Sequence, residues 1–423
     1  MTERGFEAMR FPFLRIHWIL VLFIFGCETF TRPHPDLAGL RARAETQARE
    51  EVEISATLLT REDARRDFSS DLVEKGVQPI WLEIRNGQDQ EFVVQLLSID
   101  RDYFSPSEVA WKTRALGEGR LDERMLYFLE QHLPVVVPPK SSISGFVYAN
   151  FHPGAKAFRV ELIGERDSVH AQFVVPVEGF RADFMRVEGR AHDAENVPRD
   201  LDLPGLRAYM EELPCCVLGG DRKTAGDPLN LVVVGTAKQI VATFVTRGWD
   251  LTETMRGGTV LRTVFSSVFG SRYRTSPVSP LYVFDRPQDA ALQKARKTVD
   301  ERNHLRLWLA PVTVEGNSVW VGQISRDVGV KLSSKTLITH KIDPVVDEAR
   351  LYVTLDLAAS GYLGRYGYVR GVGSATPQAP RYNYTLDPYF TDGLRVVLFL
   401  SDELRGYNDI ESLGWEALPA PGE

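Results

Sequence analysis

Short apolar runs separated by turn-forming residues fill the chain between residues 52 and 181. The clearest run is 79–86, in which Ile80, Leu82 and Ile84 recur at the period of two that a β-strand shows. Gly, Pro, Asn and Asp interrupt the runs, as turns do between the strands of a sandwich. The runs are VEISATLL, PIWLEIRN, EFVVQLLSI, LPVVVP, ISGFVYANF, AFRVELIG and VHAQFVVPV. The pattern predicts an all-β, immunoglobulin-like sandwich over residues 52–181.

Two stretches inside this unit depart from the strand pattern. LDERMLYFLEQH is predicted to be a helix that packs one apolar stripe onto a sheet. The residues at helical spacing in it are Leu121, Met125, Phe128 and Leu129. SIDRDYFSPSEVAW is expected to be a loop, since Pro106 interrupts regular structure.

After residue 204 the pattern changes to strands that alternate with helices. A strand at 229–235 precedes a helix closed by Gly248, and a strand at 281–284 precedes DRPQDAALQKAR, which has helical propensity. A later helix follows Pro344, and TDGLRVVLFLS is predicted to be a central strand. The residues predicted to face inward are Ile240, Val241, Phe244 and Val245 in the helix before Gly248, and Val346, Ala349, Val353 and Leu357 in the helix after Pro344. The succession predicts a mixed α/β (α+β) domain at 205–415, joined to the sandwich by a linker at 182–204.

The stretch 302–330 is predicted to be a β-hairpin with one polar face. In HLRLWLA the leucines fall on one face and His304, Arg306 and Trp308 on the other. A symmetric turn at 315–317 would pair Arg306 with Arg326 and Trp308 with Ile324. Neighbouring arginines repel each other unless a carboxylate or a bound anion lies between them.

Four carboxylates are candidates to balance this charge. Asp327 follows the second arginine directly, but a regular strand points it to the opposite face. Asp289, Asp343 and Asp347 remain, and Asp343 is also well placed to cap the helix that Pro344 starts. The alternatives for the arginines are an internal ion-pair network and a phosphate or carboxylate ligand.

His340 is the second histidine of this half of the chain. For His304 and His340 a hydrogen-bonded structural role is favoured over a role as general base or metal ligand. Their separation in the sequence is not a spacing typical of metal sites. The candidate binding residues are therefore His304, Arg306, Trp308, Arg326 and His340, and the supporting carboxylates are Asp289, Asp327, Asp343 and Asp347. Neither a metal nor a cofactor is expected.

Residues 1–27 have the features of an export signal. Three arginines precede an apolar run at 16–25, which as a helix is about 15 Å long, about half of what a bilayer core needs. The run ends at Gly26 and Cys27 and resembles a bacterial lipoprotein box, although Phe25 is bulkier than the usual small residue. Cys27 is therefore predicted to carry lipid, with an uncleaved anchor as the alternative. Glu28 favours the outer membrane if the host is Gram-negative, and 28–51 is predicted to be a polar tether.

Composition removes several classes of function. The net charge of −7, from 50 basic and 57 acidic residues, argues against a nucleic-acid partner.

The three cysteines include no C-x-x-C pair, so a structural zinc site is not expected. Adjacent Cα atoms such as those of Cys215 and Cys216 lie about 3.8 Å apart, closer than ordinary disulfides allow, so two free thiols are favoured. A serine hydrolase is not expected, because no G-x-S-x-G occurs and Ser325 lacks flanking glycines.

Six ordered blocks of the C-terminal half resemble the LssY C-terminal domain over about residues 210–405. They are DPLNLVVVG, SPVSPLYVFDRPQDAALQK, RNHLRLWLAP, WVGQISRDVGV, THKIDP and DPYFTDGLRVVLFLS. The resemblance implies a bacterial domain without an established activity, often found beside membrane modules of the phosphatidic-acid-phosphatase and DedA types. The family supplies no catalytic residues that could be carried over to this chain.

Together these features predict a membrane-tethered cell-envelope protein exported to the periplasmic side. Its C-terminal domain is expected to bind an anionic small molecule or an envelope protein, without enzymatic activity. One alternative is a hydrolase of phosphorylated envelope substrates, with His304 or His340 as acid/base and Arg306 and Arg326 on the phosphate. The other is a structural module of envelope assembly.

Overall fold

The computed structural model describes residues 30–114, 122–152, 154–177, 197–252, 280–295, 302–333 and 337–419. The predicted signal with Cys27, and residues 182–196 of the predicted linker, lie outside these ranges. Within them the protein is β-rich, with several sheets and eight α-helices. None of these helices is long and apolar enough to cross a membrane. We call residues 30–177 the N-terminal unit and residues 197–419 the C-terminal unit.

The N-terminal unit is a sandwich of two antiparallel four-stranded sheets. Its strands are β1 Glu45–Arg49, β2 Val52–Leu58, β3 Val77–Asn86, β4 Phe92–Val94, β5 Val136–Val137, β6 Ser141–Asn150, β7 Ala155–Gly164 and β8 Ser168–Pro176. The strand orders are β1-β2-β3-β6 and β5-β4-β7-β8. Ile80, Leu82 and Ile84 meet Phe158 and Phe173 in the core between the sheets. Each of the seven predicted runs overlaps one of the strands β2 to β8, because their alternating apolar residues close this core.

Five helices accompany these strands. They are α1 Leu37–Ala42, α2 Arg61–Phe68, α3 Leu96–Ile99, α4 Pro106–Thr113 and α5 Asp122–Gln131. The predicted helix at 121–132 is α5, with Phe128 fully buried, but Leu129 is 58% exposed, so the predicted stripe was wrong there. Phe68 and Phe128 pack with Trp81 in a second hydrophobic cluster. Both faces of β3 are therefore buried.

The expected loop SIDRDYFSPSEVAW contains most of α4 and the second half of α3. The Ser105 hydroxyl accepts the N–H of Glu108 at 3.3 Å, and the Glu108 carboxylate accepts the N–H of Ser105 at 2.7 Å. Pro106 is the first helical residue. The loop prediction was wrong, because this capping box and an N-terminal proline together start a helix.

The predicted tether at 28–51 is part of the folded unit from residue 30 onward. Strand β1 pairs with β2 along its whole length. Arg41 lies 2.7 Å from Glu83, and the rings of Phe30 and Tyr127 are 5.6 Å apart between centroids. The tether prediction was wrong here because the polar residues pair across strands, which composition alone does not reveal.

The C-terminal unit is built on a ten-stranded sheet. Its elements in chain order are β9 Arg199–Leu201, α6 Leu203–Glu212, β10 Cys216–Leu218, β11 Ala225–Pro228, β12 Leu231–Val234, α7 Ala237–Thr246, β13 Asp250–Leu251, β14 Tyr282–Val283, β15 Arg286–Pro287, β16 Ala290–Ala295, β17 Arg302–Val314, β18 Asn317–Ser333, β19 Leu337–Ile342, α8 Val346–Ala358, β20 Leu363–Arg370, β21 Arg381–Tyr382, β22 Pro388–Tyr389, β23 Leu394–Leu400, a 3-10 turn Tyr407–Asp409 and β24 Glu411–Ser412. The large sheet runs β13-β16-β17-β18-β12-β23-β20-β24, with β19 on β18 and β9 on β17. Helices α7 and α8 pack on one face of this sheet and α6 on the other.

The helical stripes predicted for this unit agree with the structure, but one predicted helix is a strand. Ile240 and Phe244 of α7 and Val353 and Leu357 of α8 are buried in one cluster. DRPQDAALQKAR instead forms β15 and β16, and β16 pairs with β17 from Ala290 to Ala295. Pairing along six residues overrides a weak helical propensity, which is why that prediction was wrong.

Two boundaries and the cysteine prediction also need correction. The predicted linker ends before 199, since β9 pairs with β17 and α6 begins at Leu203. Helix α8 begins at Val346 with Val345 as its cap, so Asp343 is not the cap; its carboxylate accepts the Val345 N–H instead. Cys215 and Cys216 form a disulfide, so the expectation of two free thiols was wrong.

The register of the β17–β18 hairpin differs from the symmetric one that we expected. Glu315 and Gly316, with φ of 51° and 74°, make the turn. Around Pro311 the register shifts, and three residues of β17 (310–312) face one residue of β18 (319). Proline cannot donate to the strand ladder, which favours an irregularity here. Beyond it Arg306 pairs with Gln323, so the predicted pairing of Arg306 with Arg326 was wrong.

The two units pack against each other along α7. Helix α7 contacts β7 and β8 of the sandwich, and Ala155 belongs to the main core cluster of the C-terminal unit. Lys238 of α7 lies 2.6 Å from Glu45 of β1. A cavity lies beside this junction and is described below.

Candidate functional site

A group of buried polar residues lies where β17 and β18 pair. Directly opposite residues of antiparallel strands share a face, and here His304 is opposite Ser325 and Arg306 opposite Gln323. Every member of the group is at most 9% exposed. We call this group the central polar cluster; its members are Arg302, His304, Arg306, Gln323, Ser325 and Asp327. Further along the same face, Trp308 and Val321 continue it as a hydrophobic cluster.

His304 and Asp327 form a close pair at one end of the central polar cluster. Nε2 of His304 lies 2.5 Å from Oδ2 of Asp327 and 2.6 Å from Nε of Arg302. One ring nitrogen cannot donate to a carboxylate and accept from an arginine at the same time. The hydrogen bond that forms at Nε2 is the one donated by the Arg302 Nε–H, so Nε2 is the acceptor and the neutral ring carries its proton on Nδ1.

Electrostatics keeps this imidazole neutral. Burial, followed by the neighbouring charges of Arg302 and Arg306, lowers the pKa of His304 well below its usual value. Arg302 is held by Gln293 at 2.5 Å and by Asp327 at 3.6 Å. A neutral histidine keeps one ring nitrogen that can accept a proton.

Arg306 occupies the other end of the central polar cluster and is its most exposed member, at 9%. Its Nη1 donates to Oε1 of Gln323 at 2.9 Å, and its buried Nε has no hydrogen-bond acceptor. Burial lowers the pKa of Arg306, while Asp227 and Asp327 raise it. Among the described residues, this guanidinium therefore uses one of its five N–H donors.

A loop and a strand edge complete the surroundings of Arg306. Gln323 extends the hydrogen-bond network, since its Nε2 donates to Asp227 at 3.2 Å and to Ser325 at 2.9 Å. Asn383 donates to the other oxygen of Asp227 at 2.8 Å. Its side-chain oxygen in turn accepts the N–H of Asp387 at 2.9 Å, which ties down the loop between β21 and β22. Burial raises the pKa of Asp227, so this carboxyl holds a proton to higher pH than an exposed aspartate does.

The structure separates several residues that we predicted to lie together. Arg326 lies on the opposite face of β18, where it contacts Asn303 at 3.3 Å and Asp343 at 4.0 Å. Asp289 binds Arg286 at 2.7 Å, and Asp347 accepts from Thr391 at 2.8 Å. Neither of these two carboxylates is bonded to Arg306 or Arg326.

Trp308 and His340 also fall outside the central polar cluster. Trp308 is fully buried in a hydrophobic cluster, and its Nε1 donates to the carbonyl of Arg286 at 3.3 Å. The backbone of His340 pairs with Val330 on the extension of β18, and its side chain lies outside the described residues. Of the nine predicted residues, the structure brings together His304, Arg306 and Asp327.

Our reading of the sequence missed half of the site. Arg302 shares the strand parity of His304 and Arg306, and extending the alternation by one step would have included it. Asp327 was assigned to the wrong face, because that assignment assumed the register that pairs Arg306 with Arg326. No local signal marks Asp227 or Asn383, since they arrive from other parts of the chain.

The central polar cluster combines two guanidinium groups, a neutral imidazole and carboxylates in a desolvated setting. Perturbed pKa values of this kind are typical of functional sites, although structural networks also produce them. In the described part of the chain, no group of three or more His, Cys, Asp or Glu residues is arranged to hold a metal ion. The arrangement can therefore donate hydrogen bonds to an anion and accept a proton at His304.

Comparison with known proteins assigns the C-terminal unit. Residues 210–394 match the family model described as LssY C-terminus. The match confirms the resemblance seen in the sequence, and it includes every residue of the central polar cluster together with Asp227 and Asn383. A comparison with curated proteins finds no match.

Proposed function

We propose that the LssY C-terminal domain of this chain binds an anionic group at the central polar cluster, in a protein tethered to the bacterial cell-envelope membrane. Arg306 carries the proposal. Among the described residues its only hydrogen bond is to the neutral Gln323, and its buried Nε has no acceptor. A buried donor without a partner costs about 1–3 kcal/mol, so an incoming anion would recover that free energy.

Charge and geometry favour an oxyanion as the ligand. Arg302 and Arg306 flank His304 on one strand face, so two guanidinium groups point to the same side of the sheet. Guanidinium forks match the oxygens of phosphate and carboxylate, and the low polarity around them strengthens each bond. Asp227 holds a proton more readily than usual, which reduces the negative charge beside Arg306.

A second candidate function is hydrolysis of a phosphorylated envelope substrate. The close contact between His304 and Asp327 favours it, because an unprotonated Nε2 beside a carboxylate can act as a general base. In this version Arg302 and Arg306 would hold the phosphate and His304 would take the proton of the attacking water. Arg302 takes the place that we first gave to Arg326.

Titration of the purified full-length protein with inorganic phosphate tests the binding proposal. We expect Arg306→Gln to weaken binding roughly tenfold or more, since a hydrogen bond to a charged group contributes about 1.5–3 kcal/mol. Arg370→Gln is the matched control, because that arginine is 75% exposed and pairs with Glu416 on the surface. Equal affinity of the wild type and Arg306→Gln would exclude this site, and absence of binding would favour a purely structural domain.

The same preparations separate binding from hydrolysis. With p-nitrophenyl phosphate as substrate, a hydrolase would lose turnover in His304→Gln while keeping much of its phosphate affinity. A binding protein would show no turnover in any variant. Turnover that His304→Gln leaves unchanged would remove His304 from the chemistry.

The membrane tether is supported by the lipobox-like sequence that ends at Cys27. Phe30, three residues later, packs on Tyr127 of α5, so a lipid on Cys27 would hold the sandwich close to the bilayer, within about 11 Å of chain. We expect Cys27→Ser to abolish incorporation of labelled fatty acid in a bacterial host. Gly26→Ala, which keeps a small residue before the cysteine, is the control. Undiminished labelling of Cys27→Ser would contradict the lipoprotein assignment.

The strand order of the sandwich supports an immunoglobulin-like topology. If β2, β3, β4, β5, β6, β7 and β8 are labelled A, B, C, C′, E, F and G, the sheets read A-B-E and C′-C-F-G. Immunoglobulin-like domains divide their strands between two sheets in this way. Strand β1 then adds an edge beside A. The N-terminal unit would act as a spacer that carries the LssY domain.

A further inference from the structure

A cavity of about 620 Å³ lies between the sandwich and the LssY domain. Its sandwich wall is formed by β7 and the segment that ends α3, and its other wall by the ends of α7 and α8. Ligand sites occur preferentially at such junctions, and this volume falls within the usual range of 300–1,000 Å³. We call this cavity the junction cleft. It is separate from the central polar cluster, and none of that cluster's residues lines it.

Cationic side chains outnumber acidic ones around the junction cleft. The cations are Arg101, Lys156, Arg159, Arg247 and Lys294, and the acids are Asp100, Asp102 and Glu161. Asp356 lies behind the wall and binds both Arg247 and Lys294 at 3.0 Å. Two cations therefore share one carboxylate, and positive charges outnumber negative charges in the cleft.

Arg159 is the least firmly held of the cations that are at least partly buried in this cleft. Its Nη2 lies 3.3 Å from Glu161, its Nη1 lies 3.5 Å from the carbonyl of Ser360, and its Nε has no acceptor in the part of the chain that the structure describes. These are long bonds for a guanidinium, whose charged hydrogen bonds are usually about 2.7–2.9 Å. By contrast, Lys156 is bound at 2.8 Å to Asp100 and is almost fully buried. Arg159 can therefore turn toward a ligand at little cost.

Tyr362 adds a second group that a ligand could engage. Its ring lies under the Arg159 guanidinium at 5.9 Å, and its buried hydroxyl faces the same guanidinium. Burial raises the pKa of Tyr362, and the interaction with Arg159 lowers it by a smaller amount. It belongs to the LssY domain, whereas Arg159 belongs to the sandwich. A ligand that touches both would bridge the two units.

We infer that the junction cleft binds a small organic anion, a carboxylate or a phosphate ester, that accepts hydrogen bonds from Arg159 and Lys294. Its oxygens would accept hydrogen bonds from the N–H groups of Arg159. Its negative charge would balance the second of the two cations that bind Asp356. The remaining polar lining, which includes Ser98 and His152, suits hydroxyl groups on the same ligand. This binding does not depend on the function proposed for the central polar cluster.

Hydrogen–deuterium exchange of the full-length protein with citrate or with glycerol 3-phosphate tests the inference. We expect slower exchange at 98–102 and at 245–248, which lie in opposite walls of the junction cleft. The protection should disappear in Arg159→Gln and in Tyr362→Phe/Arg159→Gln. It should persist in Arg306→Gln, which alters the central polar cluster alone. The probe that gives protection identifies the carboxylate or the phosphate ester as the favoured chemistry.

The outcomes divide clearly. Protection of both walls that Arg159→Gln removes supports the inference, provided that this variant and the wild type melt at the same temperature without ligand. If that variant melts lower, Arg159→Lys keeps the charge and should restore at least part of the protection. No protection with either probe overturns the inference, as does protection that Arg159→Gln leaves intact. Protection lost in Arg306→Gln would mean that the ligand acts at the central polar cluster instead.

Discussion

Replacing Arg395 by methionine is expected to destabilise the LssY domain by about 4 kcal/mol or more, a large part of the stability of a typical domain. Arg395 is fully buried in β23, and burial lowers its pKa to about 10. Its guanidinium donates to five backbone carbonyls. These belong to Leu229 at 2.8 Å, Leu213 at 3.1 Å, Pro214 at 2.5 Å, Gly371 at 3.2 Å and Met210.

The physical reason is that one side chain satisfies the end of a helix and two neighbouring strands. Met210 lies in the last turn of α6 and Leu213 caps it, so the cation also faces the negative end of the helix dipole. Methionine has similar volume but no donors, and it would leave these buried carbonyls without partners. Chemical denaturation followed by circular dichroism, with limited proteolysis to locate the unfolded part, measures the loss.

Arg370→Met is the control for Arg395. Arg370 belongs to β20 next to β23, but it is 75% exposed and pairs with Glu416 on the surface. Exposed ion pairs contribute about 0–1 kcal/mol, so this variant should be nearly as stable as the wild type. A loss below about 1 kcal/mol for Arg395→Met would contradict the role we assign to the buried guanidinium.

Trp308→Ala is expected to cost about 3–5 kcal/mol of stability, as truncation of a buried tryptophan usually does. Trp308 is fully buried in the cluster that holds α6 against the sheet, together with Val321 and Val397. Its removal leaves a cavity and an unpaired carbonyl at Arg286. Urea denaturation of the full chain gives the free energy of unfolding.

The result also decides between two roles for this residue. If Trp308 contacted a ligand, as we expected from the sequence, its truncation would weaken binding while the domain stayed stable. Trp111→Ala is the control, since Trp111 is 58% exposed on α4 and should change stability by at most about 0.5 kcal/mol. Equal stability of the two variants would restore the ligand-binding interpretation of Trp308.

The hairpin shows how far strand patterns lead. Alternation alone placed His304, Arg306 and Trp308 on one face, and the structure agrees. Alternation does not reveal which residues form the turn. A turn at Glu315 and Gly316, instead of one centred on Gly316, changes the register by one residue and exchanges the faces of β18, and the bulge adds a shift of two that keeps those faces. The change at the turn put Asp327 on the face of His304 and Arg326 on the opposite face. The nature of the site depends on that one-residue change.

Local rules explain other differences between prediction and structure. The capping box of Ser105 and Glu108 is readable in the sequence, and applying it would have predicted α4. The strand at 290–295 is different, because its residues favour a helix and only pairing with β17 makes them a strand. The first difference was avoidable and the second was not.

The sequence by itself determined the sandwich strands, the buried stripes of α7 and α8 and the resemblance to the LssY C-terminal domain. These features follow from apolar periodicity and ordered sequence blocks, which are written in neighbouring residues. The tertiary structure decided the register of the hairpin, the meeting of Asp227 with Arg306 through Gln323, and the junction cleft. Those depend on contacts between residues distant in the chain, where a shift of one position changes which charges meet.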